Sequence, residues 1–336
     1  MSRTTLERIS AGQDLDMQEM ADVVDAIMQG SWADDEIVAF LKGLSEKGET
    51  VPEVAGAATA MRRHMTHIRS RRAGLIDTCG TGGDASGTFN ISTAAAIVTA
   101  AAGVPVAKHG NRSITSRTGS ADVLAELGVN IEASVPVVER CLDELGICFC
   151  FAPQLHPSMR HVAAARKKFG SPSIFNLLGP LCNPASAPFQ LLGVGKPKLR
   201  RMLASALQLL GTEHAMVVTG EDGLDEVTLS GATHVVEIRG DSVQETQWHP
   251  ESFGLQVAGK QSMLVTDPAE SARMIQAILD GVAGPARDIV VMNAAAALWT
   301  AGVGETLPNC AQQAGQSIDS GQAKELLSQL AELSHA

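Results

Sequence analysis

The chain has 336 residues, enough for one large domain or two modest ones with a real core. Apolar residues make up 45% and charged residues 19%, an ordinary globular composition, and no apolar run is long enough to span a membrane. A net charge of −11, from 26 basic and 37 acidic side chains, opposes a nucleic-acid partner, which needs a basic face.

The first residues, MSRTTLERISAGQDLD, lack the apolar core of a signal peptide, so a cytoplasmic protein is expected. Residues 1–70 read as helices only, over 16–28, 33–46 and 51–69, with apolar positions three and four apart. From Gly74 the pattern changes to short apolar strands alternating with helices, the signature of an α/β layer around a mostly parallel sheet. Strands are expected at 75–79, 104–108, 147–151, 190–194, 214–219 and 233–238. Helices are expected at 91–102, 119–127, 135–145, 157–168, 197–210, 268–281, 287–301 and 310–332. The six cysteines form no CxxC pair, and neither a disulfide framework nor a zinc site is expected.

Residues 77–93, DTCGTGGDASGTFNIST, are the most informative stretch. A short apolar segment runs into Gly80, Gly82, Gly83 and Gly87, then into Asn90-Ile91-Ser92-Thr93 and an alanine-rich run. Strand, glycine loop, polar cap and helix follow in that order. Glycines let backbone approach a ligand, and the helix start offers unpaired N–H groups and a positive dipole end, so phosphate is the natural guest. The spelling matches neither the dinucleotide fingerprint nor the P-loop.

A second strand-like run ends in Lys108-His109-Gly110-Asn111-Arg112, and Gly119-Ser120 opens the next helix. Loops at the carboxyl ends of adjacent strands of an open α/β sheet meet in one crevice. There Lys108 would act as a mobile point charge and Ser116 and Ser120 as hydroxyl donors. His109 and Asn111 would offer uncharged hydrogen bonds to a second molecule. A third cluster, Thr219 to Thr228, is an acidic loop holding Asp225 and Glu226. On an extended segment these two point to opposite sides, so each would hold a separate Mg²⁺ or a water on it.

Together these clusters, with Phe175-Asn176-Leu177-Leu178-Gly179-Pro180-Leu181, Asn183-Pro184 and Asn293-Ala294-Ala295, resemble the anthranilate phosphoribosyltransferase family over nearly the whole chain. The resemblance implies an α/β protein with a small all-helical lobe and a large lobe around a mostly parallel sheet, of the nucleoside phosphorylase and phosphoribosyltransferase kind. The helical lobe would combine residues 1–70 with a return segment near 166–184, and residues 71–336 would form the donor-binding lobe. The implied reaction joins anthranilate to the ribose of 5-phosphoribosyl 1-pyrophosphate, releases pyrophosphate and serves tryptophan biosynthesis. Mg²⁺ is the implied cofactor and a homodimer through the helical lobe the implied assembly.

Donor contacts are then expected from Gly80, Thr81, Gly82, Gly83, Asp84, Thr88, Asn90, Ser92, Thr93, Lys108 and Ser120. Gly80, His109 and Asn111 are expected on the acceptor, and Ser92, Asp225 and Glu226 on metal. No general base is nominated, because an aromatic amine is already neutral at pH 7. A nucleoside phosphorylase of this fold should lack the block Lys108 to Arg112. A nucleic-acid-binding relative should lack the acidic pair. Pro172 stands where family members carry an arginine for the anthranilate carboxylate, which leaves a different aromatic acceptor as the alternative. Arg166, Lys167 and Lys168 are the candidate substitutes.

Overall fold

The computed structural model of the protein describes residues 2–112 and 118–336. Helices α1 (Ser2–Ser10), α2 (Met17–Met28), α3 (Asp34–Lys47) and α4 (Val51–Arg63) come first. Asp16 and Thr50 start α2 and α4 with capping boxes, in which Glu19 and Glu53 return the bond to the cap backbone. The sheet region then runs β1 (Ile76–Gly80), α5 (Ile91–Ala101), β2 (Val106–Gly110), α6 (Ser120–Glu126), α7 (Val135–Leu145) and β3 (Ile147–Phe151). A helical return follows through α8 (Ala152–Leu155), α9 (Arg160–Phe169) and α10 (Phe175–Leu178). The remainder is β4 (Phe189–Gly193), α11 (Arg200–Leu209), β5 (His214–Gly220), β6 (Thr233–Arg239), β7 (Ser242–Trp248), α12 (Pro268–Leu279), α13 (Pro285–Thr300), α14 (Leu307–Asp319) and α15 (Gln322–Leu333).

Among the described residues seven strands form one sheet in the order β3-β2-β1-β4-β5-β6-β7. The first five in chain order are parallel, whereas β5, β6 and β7 form antiparallel neighbours. The chain winds from β1 outward through β2 and β3, then crosses to the other side of β1 at β4. Crevices at such a reversal, beyond the carboxyl ends of the strands, are where ligands bind in open α/β sheets.

Alternate strand residues feed two apolar clusters on opposite faces of the sheet. Met216, Val218 and Val235 join the cluster built with α5, α12, α13, α14 and α15. Ala215, Val217, Val236 and Leu192 join the cluster that contains α2, α3, α4, α9 and α11. The period of two along each strand therefore sorts one sheet between two layers of helices.

Three expectations need correction. Strand β7 lies beyond the expected set, because its burial is confined to Trp248 and it carries no apolar alternation. The expected helix 310–332 is two helices, parted at Gly321 with φ +78°. The expected helix 51–69 ends at Arg63.

Candidate active site

The glycine loop leaves β1 at Gly80, opposite Gly193 of β4. A Cβ on Gly193 would overlap the Asp225 carbonyl, and one on Gly80 would press on the Asp225 carboxylate. Glycine is required at both places by this close approach, which seats the acidic loop directly over the two strand ends. Gly82 and Gly83 then take left-handed φ of +66° and +77°, and Ala85 joins them at +53°. Gly82 N donates to Asp225 Oδ2 at 2.8 Å, and Gly195 N donates to Thr81 Oγ1 at 3.1 Å.

Asp225 and Glu226 lie in a bend beyond β5, not on the extended segment expected. Asp225 reaches the glycine loop, while Glu226 Oε1 accepts from Ser92 N at 3.1 Å at the first turn of α5. Asn90 caps that helix, its side chain accepting from Thr93 N.

Lys108 is 3% exposed, and its Nζ donates to Thr78 O at 2.6 Å and Ser92 Oγ at 3.2 Å. The expectation of a mobile charge is therefore corrected: strand β2 delivers the ammonium into the crevice floor and two oxygens fix it there. Burial pulls it below the usual lysine range, against the pull of Asp77, Glu226 and Asp225.

The carboxylates respond in the opposite sense. Burial, reinforced by the Asp84 carboxylate beside it, pushes Asp225 up to about 7. Burial and then Asp225 raise Glu226 well above the usual range. Asp84 Oδ2 is buried without a hydrogen-bond partner. Asp84, Asp225 and Glu226 thus crowd one another beside the Lys108 ammonium, an arrangement that lacks positive charge. No group of three His, Cys, Asp or Glu side chains among the described residues closes on a single point to hold a metal alone. This donor set fits Mg²⁺, which takes one or two carboxylates and fills its remaining positions with water and substrate phosphate.

The other expected residues separate into those at the crevice and those behind it. Thr88 bridges to Leu264, and its hydroxyl meets Ser86 Oγ at 3.1 Å. Thr93 is 1% exposed with an unpartnered hydroxyl. Ser120 Oγ donates to Asn111 O at 3.4 Å, joining α6 to the β2 loop, while Ser116 lies outside the described residues.

His109 is held from both sides. Its Nδ1 lies 3.0 Å from Gly179 O and its Nε2 3.2 Å from His156 Nε2, so both ring nitrogens have partners within the chain. Burial holds His109 down at about 3 and His156 at about 4, which makes both rings neutral.

Asp84 was expected at the donor through its backbone rather than as an acid, and His156 as the neighbour of His109 was not expected at all. The Asp84 side chain was a readable carboxylate in the loop, whereas the histidine pairing depends on how α8 returns. Of the three basic candidates on α9, Lys168 pairs with Asp35 and Lys167 is exposed. Arg166 is half-buried over the Phe175 ring, with Nη2 donating to Asn176 Oδ1 at 3.4 Å and no carboxylate partner among the described residues. Pro172 is exposed.

A glycine loop, a helix start and an acidic loop at the reversal of a parallel sheet form a site for a phosphorylated sugar donor. Residues 3–65 match the helical bundle domain of the glycosyl transferase family and residues 72–324 its α/β domain, so the chain is a glycosyl transferase of that two-part kind. It is 48% identical over 321 residues to the anthranilate phosphoribosyltransferase of Rhodopirellula baltica, covering 96% of this chain and 94% of that one. The crystal structure of the enzyme from Thermus thermophilus gives a TM-score of 0.93 at 40% identity over 99% of each chain. The Saccharomyces cerevisiae enzyme, 27% identical, was solved in complex with PRPP and Mg, at a TM-score of 0.90 over 99% of this chain and 98% of that one. Its complex with 4-fluoroanthranilate gives 0.87, over 100% and 99% of the two chains. The chain belongs to the anthranilate phosphoribosyltransferases, which transfer the phosphoribosyl group of 5-phosphoribosyl 1-pyrophosphate to the anthranilate amine in tryptophan biosynthesis.

Proposed function

We propose that this chain divides the transfer between a donor side, at the glycine loop, and an acceptor side, between β2 and α9. The observation that carries the reading is the crowding of Asp84, Asp225 and Glu226 against one another at the glycine loop, beside the fixed Lys108 ammonium. Backbone N–H groups of the loop from Gly80 to Asp84 and the start of α5 hold the donor's phosphates. Mg²⁺, when bound, neutralises the charge that grows on the departing diphosphate. Asp225 and Glu226 anchor it directly or through water, Ser92 lies within its reach, and Asp84 adds a third acid. The C1–O bond of the ribose breaks with its electron pair going to pyrophosphate. The amine nitrogen bonds to C1 and releases its proton to solvent. No base is needed, and the rate comes from alignment and electrostatic stabilisation of the leaving group.

On the acceptor side the neutral His109–His156 pair and Asn111 form one wall. Arg166 supplies the cation for the anthranilate carboxylate, in place of the arginine replaced by Pro172. Its half-buried guanidinium, with no carboxylate partner among the described residues, supports this role. A charge-assisted bond of about 1.5–3 kcal/mol makes Arg166→Ala raise the anthranilate KM roughly ten- to a hundredfold while the donor KM stays near its parent value. Anthranilate fluorescence, followed with phosphoribosyl pyrophosphate and Mg²⁺ for the parent, Arg166→Ala and the Asp225→Asn/Glu226→Gln double variant, tests both sides. An unchanged anthranilate KM in Arg166→Ala sinks the acceptor assignment, and retained Mg²⁺-dependent turnover in the double variant sinks the donor assignment.

The proposed assembly is a homodimer through the helical lobe, whose outer face carries an open depression of about 670 Å³ between α1 and α3. Sedimentation at twice the 35.1 kDa protomer mass is the expected result. The proposed location is the cytoplasm; among the described residues no helix is long and apolar enough to cross a membrane.

A further inference from the structure

Strand β1 pairs with β4 through five registered residues, and β2 pairs with β3 through five. Between β1 and β2, at the centre of the same sheet, only Ile76 and Val106 register. Beyond that rung two side chains take over. Lys108 Nζ donates to Thr78 O at 2.6 Å, and His109 N donates to Asp77 Oδ1 at 3.1 Å. Asp77 thus supplies, from a side chain, the acceptor that a continuing ladder would have supplied from backbone.

The carboxyl is an expensive way to make this bond. Asp77 is fully buried, and its Oδ2 has no hydrogen-bond partner. An ionised group in that position costs more than an amide or alkyl group of the same size, because the His109 N–H and the nearby Lys108 ammonium repay only part of its lost hydration. What it achieves is local and specific. It fixes the backbone of His109 one residue before β2 ends at Gly110. His109 then meets Gly179 O and His156 with its ring.

We propose that Asp77 is a positioning residue for the acceptor: its carboxylate holds the backbone of His109, and so the imidazole, in register with anthranilate. This rests on the assignment of His109 to the acceptor side. Asp77 touches neither substrate, so its effect falls on acceptor affinity rather than on the chemical step or the donor.

The test uses Asp77→Leu, which keeps the volume and removes the hydrogen-bond acceptor, and Asp77→Asn, which keeps an oxygen for His109 N. Each is made in the parent and in His109→Ala. Steady-state constants for both substrates and the melting temperature are measured for every protein. Asp77→Leu is expected to raise the anthranilate KM about tenfold, the equivalent of one lost hydrogen bond to a charged group. Asp77→Asn should stay within about threefold, and kcat and the donor KM of both should remain near parent values.

In the His109→Ala background Asp77→Leu should add nothing further, because the side chain it positions is gone. A fold lost in Asp77→Leu is recognised by its melting temperature, and a merely structural role would lower kcat and both affinities together. An unchanged anthranilate KM in Asp77→Leu, alongside a raised one in His109→Ala, overturns the positioning role alone. Effects that multiply in the double variant overturn it as well. A parent-like anthranilate KM in His109→Ala overturns the acceptor assignment itself, and the role of Asp77 falls with it.

Discussion

The histidine pair beside β2 has a consequence that is open to titration. His109 and His156 are held at about 3 and about 4 by burial, against about 6.5 in an unfolded chain. Between those limits the unfolded state binds more protons, so stability falls as pH drops below about 6.5 and is unaffected by this pair above it. For His156 the difference at pH 5 is about 2 kcal/mol, at about 1.4 kcal/mol per unit. His156→Asn should therefore flatten the acid limb, and urea midpoints of parent and variant at pH 7.5 and pH 5 measure it. Equal losses on acidification in both proteins would exclude the pair as the source. The acidic loop behaves oppositely. Asp225→Asn removes a charge crowded by burial and Asp84, and should stabilise the metal-free protein by about 1–2 kcal/mol. It should also lower turnover by at least about a hundredfold. A destabilised Asp225→Asn would mean that the carboxylate is repaid within the fold. The acids and Lys108 were legible in the sequence because short motifs mark them. Asp77 was not, because its importance lies in a missing ladder rung that no local pattern records.

At the scale of elements, the acidic loop is placed by the absence of a side chain on β4. A methyl group on Gly193 would overlap the Asp225 carbonyl, which is backbone and has no rotamer to escape into. Gly193→Ala should displace the 221–232 loop and reduce turnover about a hundredfold or more, with far-ultraviolet ellipticity unchanged. Gly211 is the proper control. It ends α11 at φ +78° with open space around it, so Gly211→Ala costs about 1 kcal/mol of strain and leaves turnover intact. Equal activity in the two variants would show that the loop is not held by this contact. The same contrast explains which elements sequence reading found. Strands β1 to β5 announce themselves by apolar runs that end in glycine or polar loops. Strand β7 has a single buried residue, Trp248, and pairs by backbone to β6, so periodicity had nothing to detect. The break between α14 and α15 rests on one left-handed glycine, Gly321, inside an otherwise continuous amphipathic pattern.

For the whole molecule, the question is whether the helical lobe stands alone. Its apolar residues, among them Phe40, Leu41, Val54 and Val162, do not close on themselves. They share one cluster with Leu192 of β4 and Val194 just after it, with Ala215 and Val217 of β5, and with Leu203 and Leu207 of α11. A lobe whose core runs on into the sheet and α11 loses that part of its core when the sheet unfolds, so the two should melt in a single transition despite the size of the chain. Trp32 reports the lobe, 8% exposed and edge-on to Phe40 at 5.8 Å. The chain's other two tryptophans, Trp248 and Trp299, belong to the sheet side and can be replaced by phenylalanine. Urea unfolding followed by Trp32 fluorescence and by ellipticity should then coincide. Leu192→Ala, which removes a buried side chain from the shared cluster, should move both midpoints together by about 2–4 kcal/mol. A Trp32 transition at lower urea than the ellipticity change, shifted by Leu192→Ala while the other stays in place, would make the lobe an independent unit. In that case the crevice between lobe and sheet would be held by the acceptor-side contacts of α9 and α10 rather than by a common core.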